Sequence, residues 1–164
     1  MKRLRNFLRD TRASAATEMA LMLPLLLLLM FGGFEAGAYF FAEQKVIKAV
    51  REGARYAGRQ PFASFPCGGT ADATTIAQIQ QVTLTGTVTG SAPRVPGMAL
   101  GDIEVTHRCD ASFDSQGIFA GTTGGAPVVL VRARSGYPSL FAGIGLIDDS
   151  FTVGAGAEAV VSGI

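Results

Sequence analysis

The chain has 164 residues, room for about one ordinary domain. A formal net charge of +1 at pH 7 excludes the basic excess of a nucleic-acid binder, and a mean hydropathy of +0.33 is high for a purely soluble protein. Charge is polarised along the chain. Lys2, Arg3, Arg5, Arg9 and Arg12 stand against a lone Asp10 at the start, whereas residues 60–164 hold four arginines against eight acids.

Met19 to Phe34 is a run of 16 residues without a charge. A helix needs about 20 apolar residues to span a bilayer. Extension past Glu35 to Ala42 gives 24 residues, ~36 Å of helix, enough to span with some tilt. Lipid leaves no partner for unbonded backbone groups, so this segment is predicted helical. The basic flank before the span predicts that residues 1–13 stay in the cytoplasm and that residues beyond about Glu43 lie outside the membrane.

After the span, Val46, Val50, Ala54 and Ala57 form one apolar stripe, while Lys45, Lys48, Arg51, Glu52, Arg55 and Arg59 crowd the other surface. Lys48 and Glu52 are spaced to interact, in the less favourable order. Gly58 and Pro61 supply a stop. One long helix over 15–58 is predicted, half in lipid and half outside.

From Pro61 the composition turns to Gly, Thr, Ser and Ala. A short helix is expected over Ala73–Leu84 with Asp72 at its cap, although β-branched Val82 and Thr83 could instead open a strand. Residues 85–101 are turn-rich. Strands are predicted at Asp102–Arg108, Val128–Arg134 and Phe151–Val161, with Asp148-Asp149 marking a turn before the last. The expected architecture is α+β: a long transmembrane helix packed on a small exported domain with a short helix and a three- to four-stranded antiparallel sheet. Its divisions are a leader at 1–13, the helix at 14–60 and the exported domain at 61–164. Cys67 and Cys109, the only cysteines, can pair once exported.

Few residues suggest chemistry. His107 and Cys109 fall short of a zinc site, Asp110–Gly117 lacks the calcium-loop spacing, and Gly121–Gly125 lacks the lysine of a phosphate loop. No nucleophile–base pair can be nominated, so neither an enzyme, a cofactor nor a small-molecule substrate is expected. Two intramembrane acids carry more interest. Glu18 sits at the mouth of the apolar run: either it is an interfacial acid reaching water, or it pairs with an ammonium freed by a cut between Ala13 and Ser14. Glu35 interrupts the outer third of the span beside a G-x-x-x-G formed by Gly33 and Gly37. That pattern allows close helix approach, with Glu35 bonded across it; the alternative leaves Glu35 solvated among headgroups. Pro24 would loosen the helix near its start.

Ala13, Ser14–Thr17 and Glu18 resemble, position by position, the class III signal of the TadE-like minor pilins or pseudopilins of the tight-adherence (Tad) pilus system. Phe31-Gly32, Glu35, Gly37 and the run Arg51–Ala57 are also similar to that family's pattern, and the signature covers roughly residues 9–58. A fainter likeness runs through Ile76–Val105 and Val128–Tyr137. Ala13 replaces the commoner glycine before the cut, and Met19 replaces the aromatic residue expected after Glu18. The resemblance implies cleavage by a prepilin peptidase at Ala13–Ser14 and a role in building a Tad-type pilus. Implied partners are other pilin subunits, the assembly platform and the lipid bilayer, which the resemblance makes that of the bacterial inner membrane. Two readings compete. One is a secreted protein cut after Ala36-Gly37-Ala38, and the other an uncleaved signal-anchored binding module.

Overall fold

The computed structural model describes residues 11–142 and 150–163. Asp148-Asp149 and most of the basic leader lie outside the described residues. Two compact units divide between Ala38 and Tyr39. One helix, α1 (Thr11–Gly58), contributes to both and continues through Pro24.

In the first unit α1 carries a surface that water would penalise. Leu21 is 79% exposed and Leu28 is 68% exposed, and Met22, Leu25, Leu26, Leu29 and Phe34 are also open. Each such side chain moved from water into an apolar medium gains about 1.5–3 kcal/mol. Among the described residues, α1 is the one helix long and apolar enough to cross a membrane. That composition fits a single-pass membrane anchor.

The second unit joins the remainder of α1 to helix α2 (Ala73–Thr85) and three strands, β1 (Ile103–Asp110), β2 (Ala126–Gly136) and β3 (Thr152–Val160). It is an α+β arrangement. The stripe Val46, Val50, Ala54 and Ala57 is buried as its spacing predicts, sharing the core with Phe65, Ile79, Val129, Val131, Val153 and Val161.

Helix α2 begins where the Asp72 carboxylate accepts the Thr75 N–H at 2.8 Å. It ends at Gly86, whose φ of +84° suits glycine and whose N–H returns to the Val82 carbonyl. Val82 and Thr83 therefore continue the helix rather than open a strand. Burial of Ile79, Val82, Thr83 and Leu84 outweighs the weak strand preference of β-branched residues, and the Thr83 hydroxyl donates to the Ile79 carbonyl at 2.8 Å.

The sheet order is β1-β2-β3, with both pairings antiparallel. Strand β2 is central and alternates: Val129, Val131, Ala133 and Ser135 are buried, while Arg132 and Arg134 are exposed. On the outer face Arg108 of β1 reaches Glu158 of β3 at 3.1 Å, across the central strand. The two ends of the unit are tied to α1 separately. At one end the Tyr39 hydroxyl donates to the Thr152 carbonyl at 3.4 Å, and its ring meets Tyr137 edge-on at 5.3 Å. At the other, Ser162 donates both its N–H (2.8 Å) and its hydroxyl (2.7 Å) to the Gly58 carbonyl. That carbonyl is one of the orphan acceptors at a helix C-terminus, so the chain end caps the helix. A disulfide joins Cys67 to Cys109, with Cα atoms 5.7 Å apart, and fastens the loop after α1 to the end of β1.

Candidate assembly site

Positions 13, 14 and 18 all lie in the first turns of α1. Four residues apart on one helix, 14 and 18 share a face. Glu18 is exposed there, amid the open apolar surface. One long stretch of helix later, ~25 Å at helical rise, stands Glu35, so α1 does not bring the two acids together. Glu35 is only 7% exposed, although Phe34, Ala36 and Gly37 beside it are open. A β-carbon added at Gly33 or Gly37 would meet nothing within 4 Å. The small residues thus leave a recess on the helix surface where another helix can approach closely.

In the second unit, sequence reasoning missed two links between α1 and the rest. Gly53 is buried where α2 crosses α1, and a β-carbon there would run into the Thr83 hydroxyl. A signal existed: Gly53 falls three residues after Val50 and four before Ala57, on the same apolar face. The second link is an ion pair between Glu52 and Arg94. Glu52 does not pair with Lys48 on its own helix, as the spacing had suggested. Arg94 lies beyond α2, its Nε donating to the Thr85 carbonyl at 3.0 Å, and no local pattern in the sequence marks it.

His107 is a packed histidine. Its ring lies 5.8 Å from that of Phe65, and Nε2 is 3.4 Å from the Pro66 carbonyl oxygen. Among the described residues no group of three His, Cys, Asp or Glu side chains could hold a metal ion. A shallow cleft of about 440 Å³ on the outer sheet face is lined by Asp102, Glu104, Arg132 and Arg134, charges of both signs without an adjacent nucleophile.

Two aspartates are held below the ordinary carboxylate range. Asp72 is lowered by the Thr75 hydroxyl and then by the Thr75 N–H, and Asp110 by the Ser112 N–H. Both remain ionised at neutral pH and mark the end of the unit nearest Gly58. Asp110 closes β1 there, and the Asp72 N–H bonds the Ser64 carbonyl in the loop that the disulfide holds to β1.

An open apolar helix of lipid-spanning length, leading into an α+β unit packed on its outer half, is the architecture of a stem-anchored membrane protein. Comparison with protein families sharpens this. Residues 13–55 match the model of the family described as TadE-like protein. The match lies wholly on α1, from the position before Ser14 to Arg55, and agrees with the resemblance read from the residues. No curated protein and no solved structure matches the chain.

Proposed function

We propose that this protein is a structural minor pilin or pseudopilin needed to assemble a Tad-type (type IVc) pilus for surface adherence, and that it is not an enzyme. One observation carries the reading: the TadE-like match coincides with a helix whose lipid-length half is apolar and uncovered. The first unit anchors the protein in the inner membrane with the basic leader cytoplasmic and the second unit periplasmic. A prepilin peptidase cuts between Ala13 and Ser14, which frees an ammonium one helical turn from Glu18. In the low dielectric at the bilayer edge that pair aligns the subunit with other pilins and the assembly platform. Gly33 and Gly37 supply the close helix approach, while Glu35, two residues from each, is buried on the other side of the helix. The subunit passes from the membrane into the fibre or primes the fibre's assembly.

Intact-mass measurement on the membrane fraction tests this first. The mature chain is expected to begin at Ser14. A start at Tyr39 would mean a secreted protein, and a start at Met1 an uncleaved anchored module. Glu18→Ala then tests the assembly step: pilus number should fall while membrane insertion persists. Unchanged piliation would remove the proposed role of Glu18.

A further inference from the structure

The exposed face of the outer half of α1 is a ridge of cations. Lys48, Arg51 and Arg55 on α1, and Arg59 one residue past its end, follow at steps of three, four and four residues, all exposed. Among the described residues the ion pairs are Glu52–Arg94 and Arg108–Glu158, and neither includes a member of the ridge. Arg51 and Arg55, and Arg55 and Arg59, are like-charge neighbours at i and i+4, a spacing that destabilises a helix standing alone. Such a ridge gains from a partner bearing carboxylates.

The same unit offers the complement. At its Gly58 end stand Asp110, which closes β1 with Arg108 near it, Asp114, which accepts the Gly124 N–H at 3.4 Å, and Asp72, whose N–H bonds the Ser64 carbonyl in the disulfide-held loop. No basic residue lies between Asp110 and Gly125. The hydrogen bonds that hold Asp72 and Asp110 below the ordinary range keep them charged.

We propose that the Lys48–Arg51–Arg55–Arg59 ridge of one copy docks the acidic Asp72–Asp110–Asp114 end of a second copy. The proposal deepens the assembly role stated above and rests on it. The basic and acidic patches are different sets of residues, so the contact is heterologous. Repeated, it gives a ring or an open filament rather than an isologous dimer. Lipid is the poorer occupant. The ridge rises ~16 Å along α1, and Arg59 stands ~26 Å beyond Ala42, so a bilayer crossed by the helix meets only the Lys48 end. Headgroup charge is screened over about 8 Å at physiological ionic strength.

The test uses the full chain in native membranes with its assembly machinery, as mixed unlabelled and isotope-labelled copies. Arg55→p-benzoyl-Phe is photolysed and the crosslinked peptides are sequenced by mass spectrometry. The expected product joins position 55 of one copy to the segment 110–125 of the other isotope. Adding Arg51→Glu and Arg59→Glu should cut its yield about tenfold, and Asp114→Arg in the labelled partner should recover part of it. An intact Cys67–Cys109 bridge and normal membrane abundance establish that each variant folds. Crosslinks to lipid or to a different protein, or a yield indifferent to charge reversal, overturn the proposal. Pili without the crosslink would sink this contact alone, whereas the crosslink without pili would sustain the contact and sink the pilus role.

Discussion

Gly53 of α1 and Thr83 of α2 touch where the two helices cross, and the contact leaves no room for a β-carbon. Such a carbon would collide with the Thr83 hydroxyl and lie 3.2 Å from Thr83 Cβ and 3.5 Å from Val131 Cγ1. Three elements meet at this one glycine: both helices and the central strand. Gly53→Ala gains about 1 kcal/mol of helix propensity. Overpacking a fixed crossing costs about 1–3 kcal/mol. The crossing should win, and thermal unfolding of the full chain in detergent micelles should show a lower Tm. Thr83→Ala in the Gly53→Ala background should recover part of the loss, because Thr83 Cβ stays close. Additive effects of the two substitutions would refute the contact.

The Cys67–Cys109 bridge closes a separation of 42 residues. On the chain-entropy model that constraint is worth about 4 kcal/mol. Non-reducing mass spectrometry of the native protein should find the bridged chain lighter than its reduced form by two hydrogens, about 2 Da. Cys109→Ser should lower the Tm and expose the loop after α1 to protease. Two free thiols in the native protein would contradict the structure directly.

Asp72 gives a pH-dependent prediction with a defined sign. Its folded pKa lies below the ordinary range of an aspartate, first because of the Thr75 hydroxyl and then because of the Thr75 N–H. A carboxylate with a depressed folded pKa adds stability above its unfolded pKa, and that stability is lost as pH falls through the folded value. The Tm of the wild type should therefore decline below about pH 4 more steeply than that of Asp72→Asn. The variant should also melt a few degrees lower at pH 7, since amide oxygen caps without a charge. Parallel curves for the two proteins would rule out a charged cap at α2.

Gly37 is open, so a larger side chain there disturbs no contact in the chain itself. Gly37→Leu should leave insertion and the unfolding curve of the second unit unchanged. Under the proposed assembly role, co-purification of partner subunits should fall several-fold, because a bulky side chain fills the open strip formed by Gly33 and Gly37. Glu35→Gln should likewise weaken the complex. An unaltered complex in both variants would retire the idea that this part of the stem packs against another subunit.

How much of this was legible in the sequence depends on how far each feature reaches along the chain. Helix α1 was legible almost to its ends, because an uncharged run and a 3.6-residue stripe are local patterns. The strands were located by alternation, with ends within two residues of those found: β2 runs Ala126–Gly136 where Val128–Arg134 was predicted. The segment at Val82–Thr83 was ambiguous, because local propensity is small beside the burial that decided it. The acidic end was not legible, since a disulfide across 42 residues holds the loop before Asp72 to the strand that ends at Asp110.

The sequence by itself determined that this chain has a greasy stem with a basic beginning, a TadE-like signature along that stem and a mildly acidic remainder. Composition and periodicity suffice for that, because a bilayer-length helix answers to its own residues and to the solvent around it. Only the tertiary structure decided that Glu52 pairs with Arg94 rather than Lys48, that Gly53 is the crossing point of two helices, and that Lys48, Arg51 and Arg55 of α1, with Arg59 just past its end, are exposed outside any ion pair among the described residues. Those outcomes depend on which distant segments pack together, and the pairing free energy of surface charges is too small to announce itself in a local pattern.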